Sequence, residues 1–159
     1  KFEVEGESAK WEVTKQSDLT NYLSTHSKVS SFDYPMSDVL QGCLIVSIKK
    51  ETKDDVRQFM QELWSLEEMK YNKFLIIVDE EVDAKDISKV AWKVFNNIDA
   101  MRDLVICEVP SQNFGHRLGI DATKKLAIDD HPREWPDDIV MSDEIKEKVT
   151  RRWSEYGID

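Results

Sequence analysis

Between residues 42 and 109 the apolar positions switch back and forth between two periods. "CLIVSI" (43–48), "KFLIIVDE" (73–80) and "DLVICEV" (103–109) are short, almost unbroken apolar runs, the pattern of strands covered on both faces. Between them the period lengthens to that of a helix. Val56, Phe59, Met60, Leu63 and Trp64 recur at helical spacing within 52–68, and Ile87, Val90, Ala91, Val94, Phe95 and Ile98 do so within 84–98. Thr52 with Asp55 predicts a capping pair for the first helix, and Asp83 or Asp86 a cap for the second. Strand, helix, strand, helix, strand with apolar strands predicts three mutually parallel strands at 43–48, 73–79 and 103–109, joined by right-handed crossovers.

The flanks are less regular. Residues 1–41 predict short strands at 2–5 and 10–14, a helix near 17–24 and an extended piece around "SSFDYP". Residues 110–141 hold three of the four prolines and few periodic positions, which predicts a long irregular arm of the kind that is functional or packs on a partner. A last helix is expected over 142–156, capped by Ser142, with Ile145, Val149, Trp153 and Tyr156 as its buried stripe. The fold class expected is α/β: a mostly parallel sheet with crossover helices and an irregular C-terminal arm ending in a helix. One domain spans 1–159, with a βαβαβ core at 42–109 and the arm and helix at 110–159.

Composition narrows the function classes. The 159 residues carry 22 Lys and Arg against 32 Asp and Glu, a net charge of −10, which opposes non-specific binding to nucleic acid or anionic membranes. No apolar run reaches bilayer-spanning length and no secretory leader opens the chain, so the expectation is a cytoplasmic protein without integral membrane association. Cys43 and Cys107 lie in apolar runs and read as buried free thiols of a reducing compartment. The chain starts without Met on "KFEVEGESAKWEV", and a fragment of a longer protein is the expectation.

Candidate chemistry is sparse. His26, His116 and His131 are scattered with no partner at metal-ligand spacing, and five glycines form neither a phosphate loop nor a nucleophile elbow. The acidic string "VDEEVDAKD" (78–86) follows a central strand, where α/β proteins place ligands, but a solvated, helix-capping turn explains it better than a cation site. Lys70 and Lys73 in "EEMKYNK" can meet a phosphate, although charge compensation at a helix end accounts for them. In the arm, Asp121, Lys125, Arg133 and Glu134 read as a structural ionic network that pins a loop of low apolar content. The residues alone yield a fold and no active site.

Several strings together resemble one family. "IVSIKK" (45–50), "KFLIIVDEEVDAKD" (73–86), "VAWKVFNNIDAMRD" (90–103), "GIDATKK" (119–125) and "REWPDDIVMSDEIKEKVTRRWSEYGI" (133–158) are similar, in order, to the C-terminal part of the UbiD-like decarboxylases. Within that family they look nearest the 3-octaprenyl-4-hydroxybenzoate and menaquinone-type carboxy-lyases. The resemblance implies non-oxidative decarboxylation of aromatic or α,β-unsaturated acids in the full-length protein, with quinone biosynthesis as a context. It implies prenylated flavin mononucleotide as the electron sink, anchored with a divalent metal, usually manganese. It also implies a homo-oligomer, and a partner in the protein's own N-terminal cofactor domain.

The family's metal ligands and its catalytic Glu–Arg–Glu network belong to that N-terminal domain, so no catalytic and no metal-binding residue is expected here. Members often carry a basic residue near the end of the first helix that approaches the cofactor phosphate. Glu67 stands at that position, which leaves Lys70, one turn later, as the candidate cofactor-binding residue. The segment "PSQNFGHRL" is also shorter than usual, so no substrate contacts carry over. The implied role is an oligomerisation and active-site-supporting domain, inactive alone. The alternative is a non-enzymatic binding or assembly module derived from it.

Overall fold

A computed structural model describes residues 17–35, 42–108, 115–132, 135–136 and 138–157. The described chain runs α1 (17–25), β1 (Val29–Asp33), β2 (Cys43–Ile48), α2 (Asp55–Ser65), β3 (Phe74–Asp79), α3 (Ile87–Asn97), α4 (Ala100–Asp103), β4 (Leu104–Ile106), β5 (Leu118–Asp121) and α5 (Asp143–Arg151), with short 3-10 turns between some of them. The strands form one sheet in the order β1-β2-β3-β5-β4. The expected strands at 2–5 and 10–14 lie outside the described residues.

The α/β architecture stands, with a parallel centre of β2, β3 and β5 between two antiparallel edges, β1 on β2 and β4 on β5. One expectation is corrected: the 103–109 run is not parallel to the others. Among its described residues the strand is Leu104–Ile106, and it pairs antiparallel to β5, which takes the place beside β3. An apolar run determines that a strand forms, not which neighbour it takes. β5 escaped notice because "LGID" is four residues with a glycine inside.

The two sheet faces are covered unequally. On one face, α1 and α2 bring Leu19, Leu23, Val56, Phe59, Met60 and Leu63 onto Leu44, Val46, Ile48, Leu75, Ile77 and Val105. Gly119 permits this approach: a Cβ there would lie 2.5 Å from Met60 Sδ and 3.0 Å from the Trp64 ring. On the other face a smaller cluster joins Val90 and the half-buried Val94 and Ile98 to Ile45, Val78, Val82, Ala84 and Ala122. The expected α3 stripe is therefore only partly buried, with Phe95 82% and Ile87 47% exposed.

The caps follow their chemistry. Asp86 accepts the Lys89 N–H of α3, as expected, and Ser142 accepts the Ile145 N–H of α5. At α2 the direction is reversed. Asp55 sits inside the helix and its carboxylate accepts the N–H groups of Glu51 and Thr52 and the Thr52 hydroxyl. The C-terminal helix forms over Asp143–Arg151, with Trp153 and Tyr156 in and just after the 3-10 turn beyond it; Val149 is half-buried while Ile145, Trp153 and Tyr156 are exposed, so the expected stripe is not buried among the described residues.

Candidate functional site

Parallel strands end together, and the turns beyond them are where an α/β fold gathers polar side chains. Here the ends of β2, β3 and β5 bring "IKK", "VDEE" and "IDATKK" side by side. Lys125 is 2% exposed, and its ammonium lies 3.0 Å from Asp121 and 3.5 Å from Asp103. Asp103, equally buried, also takes the Arg102 guanidinium in two bonds of 2.7 Å and accepts the Asp99 N–H. Burial opposes ionisation of Asp103, but Arg102, the backbone N–H and Lys125 outweigh it and hold its pKa below the usual range.

The neighbouring groups are saturated in the same way. Lys50, at the end of β2, donates to Thr123 Oγ1, to the Lys124 carbonyl and to Asp129 at 2.8 Å. Asp79, at the end of β3, accepts the Lys124 N–H at 3.0 Å, and burial raises its pKa. The Lys124 ammonium turns outward to Glu81 at 2.9 Å. Lys93, fully buried on α3, donates 2.9 and 3.0 Å bonds to both oxygens of Asp138 in the arm. A charged or polar group in a low-dielectric interior persists only when paired or hydrogen-bonded; the lysines here are ion-paired and Asp79 is held by the Lys124 N–H. Such a network fixes loops and offers no unengaged acid or base to a substrate.

The expected ionic network is present in part. Asp121 and Lys125 meet; Arg133 and Glu134 lie outside the described residues. Reading residue types missed Asp103, Lys50, Lys93 and Asp138: the ion pairs Lys125–Asp103, Lys93–Asp138 and Lys50–Asp129 join positions 22 to 79 apart in sequence, and spacing carries no trace of that. Lys93 had one signal: it falls beside Val90 and Val94, on the apolar side of α3. A second buried cation, Arg117, donates to the Met69 and Trp64 carbonyls just past α2 and to Cys107 Sγ at 3.1 Å. It sits where the helix dipole favours positive charge.

Elsewhere, Lys70 lies in the 3-10 turn Glu67–Tyr71, 3.3 Å from Glu67. Lys73 lies over the Phe74 ring at 5.7 Å. His26 meets the Phe59 ring at a tilt, 5.0 Å between centroids, His116 Nδ1 lies 3.2 Å from the Cys107 carbonyl, and His131 meets Trp135 edge-on at 5.2 Å. No three His, Cys, Asp or Glu side chains among the described residues converge as a metal site, so the divalent ion of the resemblance does not fit among them. Cys43 is half-buried and Cys107 buried, and the two form no disulfide. No helix among the described residues is long and apolar enough to cross a membrane.

Comparison with known proteins places this geometry. Residues 10–129 match the family described as "3-octaprenyl-4-hydroxybenzoate carboxy-lyase C-terminal domain". The chain belongs to the UbiD family. An uncharacterised protein of Archaeoglobus fulgidus is 32% identical over 140 residues, 82% of this chain and 29% of that protein. One of Aeropyrum pernix is 30% identical over 142 residues, 83% and 29%. This UbiD-family chain thus spans less than a third of those relatives.

Solved structures agree on the fold. Sedimentibacter hydroxybenzoicus vanillic acid decarboxylase in its closed form superposes with TM-score 0.69 at 22% identity, over 88% of this chain and 31% of that one. An evolved dimeric form of the UbiD-class enzyme HmfF from Pelotomaculum thermopropionicum, in complex with prenylated flavin, superposes with TM-score 0.64 at 17% identity, over 86% and 28%.

Proposed function

We propose that this chain is the C-terminal, assembly and active-site-supporting domain of a UbiD-family carboxy-lyase, and that it is inactive alone. The reading rests mainly on the saturated network at the strand ends: where an α/β fold would place a ligand, the described acids and bases are already committed to one another. On this reading the full-length protein decarboxylates an aromatic or α,β-unsaturated acid in the cytoplasm, with quinone biosynthesis as one context. Prenylated flavin supplies the electron sink, and the manganese ligands come from the preceding cofactor domain. The parts of this chain are then a single unit at 1–159, and its contribution is to order the subunits and close over that domain.

Lys70 is the cofactor contact this domain would offer, by an ammonium directed at the cofactor phosphate. Its pairing with Glu67 favours the second reading, a binding or assembly module that keeps the domain without the chemistry, because Glu67 already neutralises it. Two measurements separate the readings. The purified 1–159 polypeptide is expected neither to retain prenylated flavin through desalting nor to release carbon dioxide; stoichiometric retention by absorbance would overturn the first claim. In the full-length protein, Lys70→Gln is expected to raise the flavin dissociation constant several-fold. An unchanged constant removes Lys70 from the site.

A further inference from the structure

Arg117, 6% exposed, lies in the core beside Cys107, itself 7% exposed. Its partners among the described residues are the Met69 and Trp64 carbonyls, the Trp64 ring and the Cys107 sulfur. None of them is a carboxylate. A guanidinium is permanently charged, so neutral acceptors offset its burial only in part.

The fork of the guanidinium shows what is missing. Arg102 grips Asp103 through its Nε–Nη2 edge, in two bonds of 2.7 Å. The same edge of Arg117 is turned to Cys107. There Nη2 donates to Sγ at 3.1 Å and to the Trp64 carbonyl at 3.4 Å, while Nε is buried without a hydrogen-bond partner. Half of a site built for a two-oxygen anion is therefore filled by a sulfur, and the other half is idle. An oxygen bonded to Sγ gives Nε the acceptor it lacks. Cys43 has the opposite setting: it is more exposed, and burial and the Asp33 carboxylate push its thiol up.

We propose that Cys107 is a peroxide-reactive thiol whose oxidised form is held by the Arg117 fork. Reactive thiols sit in electropositive, partly accessible surroundings, and the narrow exposure of this sulfur suits a small oxidant, hydrogen peroxide. The thiol gives up its proton, and a sulfur electron pair attacks one peroxide oxygen. The O–O bond breaks, and the departing hydroxide takes up the proton as water. The sulfur is oxidised to the sulfenic acid and the peroxide is reduced. A second peroxide carries it to the sulfinate, whose paired oxygens match the fork as a carboxylate does. A thiol reductant reverses the first step. This modification site stands apart from the carboxy-lyase reading and does not depend on it.

The test treats the full-length protein with hydrogen peroxide in the presence of dimedone, a cyclic dione that adds to sulfenic acids. Peptide mass spectrometry then locates the adduct. It is expected at Cys107, forming several-fold faster than at the more exposed Cys43, and to vanish in Cys107→Ser. Arg117→Lys keeps the charge and loses the fork, and is expected to slow labelling of Cys107 several-fold while circular dichroism is kept. The comparison of the two cysteines is made in the wild-type protein, so it decides the matter even where the variant fails to fold. Faster labelling at Cys43, or labelling of Cys107 only after unfolding in urea, would make Cys107 a packed core thiol and overturn the proposal. An unchanged rate in folded Arg117→Lys would overturn the role of the fork.

Discussion

Gly119 shows how far a single residue determines this fold. Its φ is ordinary; what the position requires is the absence of a side chain, because α2 rests on β5 there. A methyl group 2.5 Å from Met60 Sδ is far inside van der Waals contact, so Gly119→Ala is expected to cost about 1–3 kcal/mol, the usual range for overpacking a filled core. Urea unfolding measures it, and Met60→Ala in the same chain should recover part of the loss. If the double variant is as destabilised as the two losses added, the clash is not the cause. Asp55 determines the acid limb in a similar local way. Burial opposes its ionisation, but the Lys28 ammonium, the Thr52 hydroxyl and the Glu51 and Thr52 N–H groups prevail, and its pKa falls far below the usual carboxylate range. A depressed folded pKa contributes stability that is complete above the unfolded value near pH 4 and is lost as pH falls towards the folded one. Asp55→Asn should therefore flatten the stability curve below about pH 4 and lower stability at pH 7. A parallel shift at every pH would show that Asp55 acts by packing alone.

At the scale of elements, the apolar periods made β2, β3, α2 and the place of α3 legible, because each buries a continuous stripe on one neighbour. What stayed illegible was pairing. Whether the 103–109 run joins as a parallel or an antiparallel strand depends on β5, a four-residue strand that no period announces. The apolar stripe of 145–156 was legible as a stripe, but periodicity does not say whether anything covers it. The candidate site divides the same way. Asp121 and Lys125 are four residues apart and fall within one expected ionic network, with Arg133 and Glu134, whereas nothing in the sequence links Lys93 to Asp138, 45 positions away. That second pair holds the arm, and its two halves should respond differently to mutation. Asp138→Asn leaves a fully buried ammonium without its carboxylate. It is expected to cost about 3 kcal/mol, the low end for breaking a buried pair because Asp138 keeps 24% side-chain exposure. The matched variant Lys93→Met with Asp138→Leu removes both charges and should stay within about 1 kcal/mol of wild type. Hydrogen exchange along 138–142 gives a second readout: fast exchange is expected in the first variant. Equal losses in the two variants would mean the arm is held by something other than this ion pair.

At the scale of the whole molecule the two sheet faces have different roles. One is finished within the chain: Leu75 is fully buried among α2, Leu44 and Ile77. The other is half finished, and Ile106 stands 64% exposed at its open end. Substitutions on the two faces should show the difference. Leu75→Ala opens a cavity in the finished core and is expected to cost about 2–5 kcal/mol in the 1–159 polypeptide, moving the helix and sheet signals together. Ile106→Ser changes an exposed side chain on a three-residue edge strand, and should stay within about 0.5 kcal/mol of wild type in the same measurement. Should Ile106→Ser destabilise the isolated polypeptide as much as Leu75→Ala does, Ile106 is packed within this chain, and the difference between the two faces fails with it.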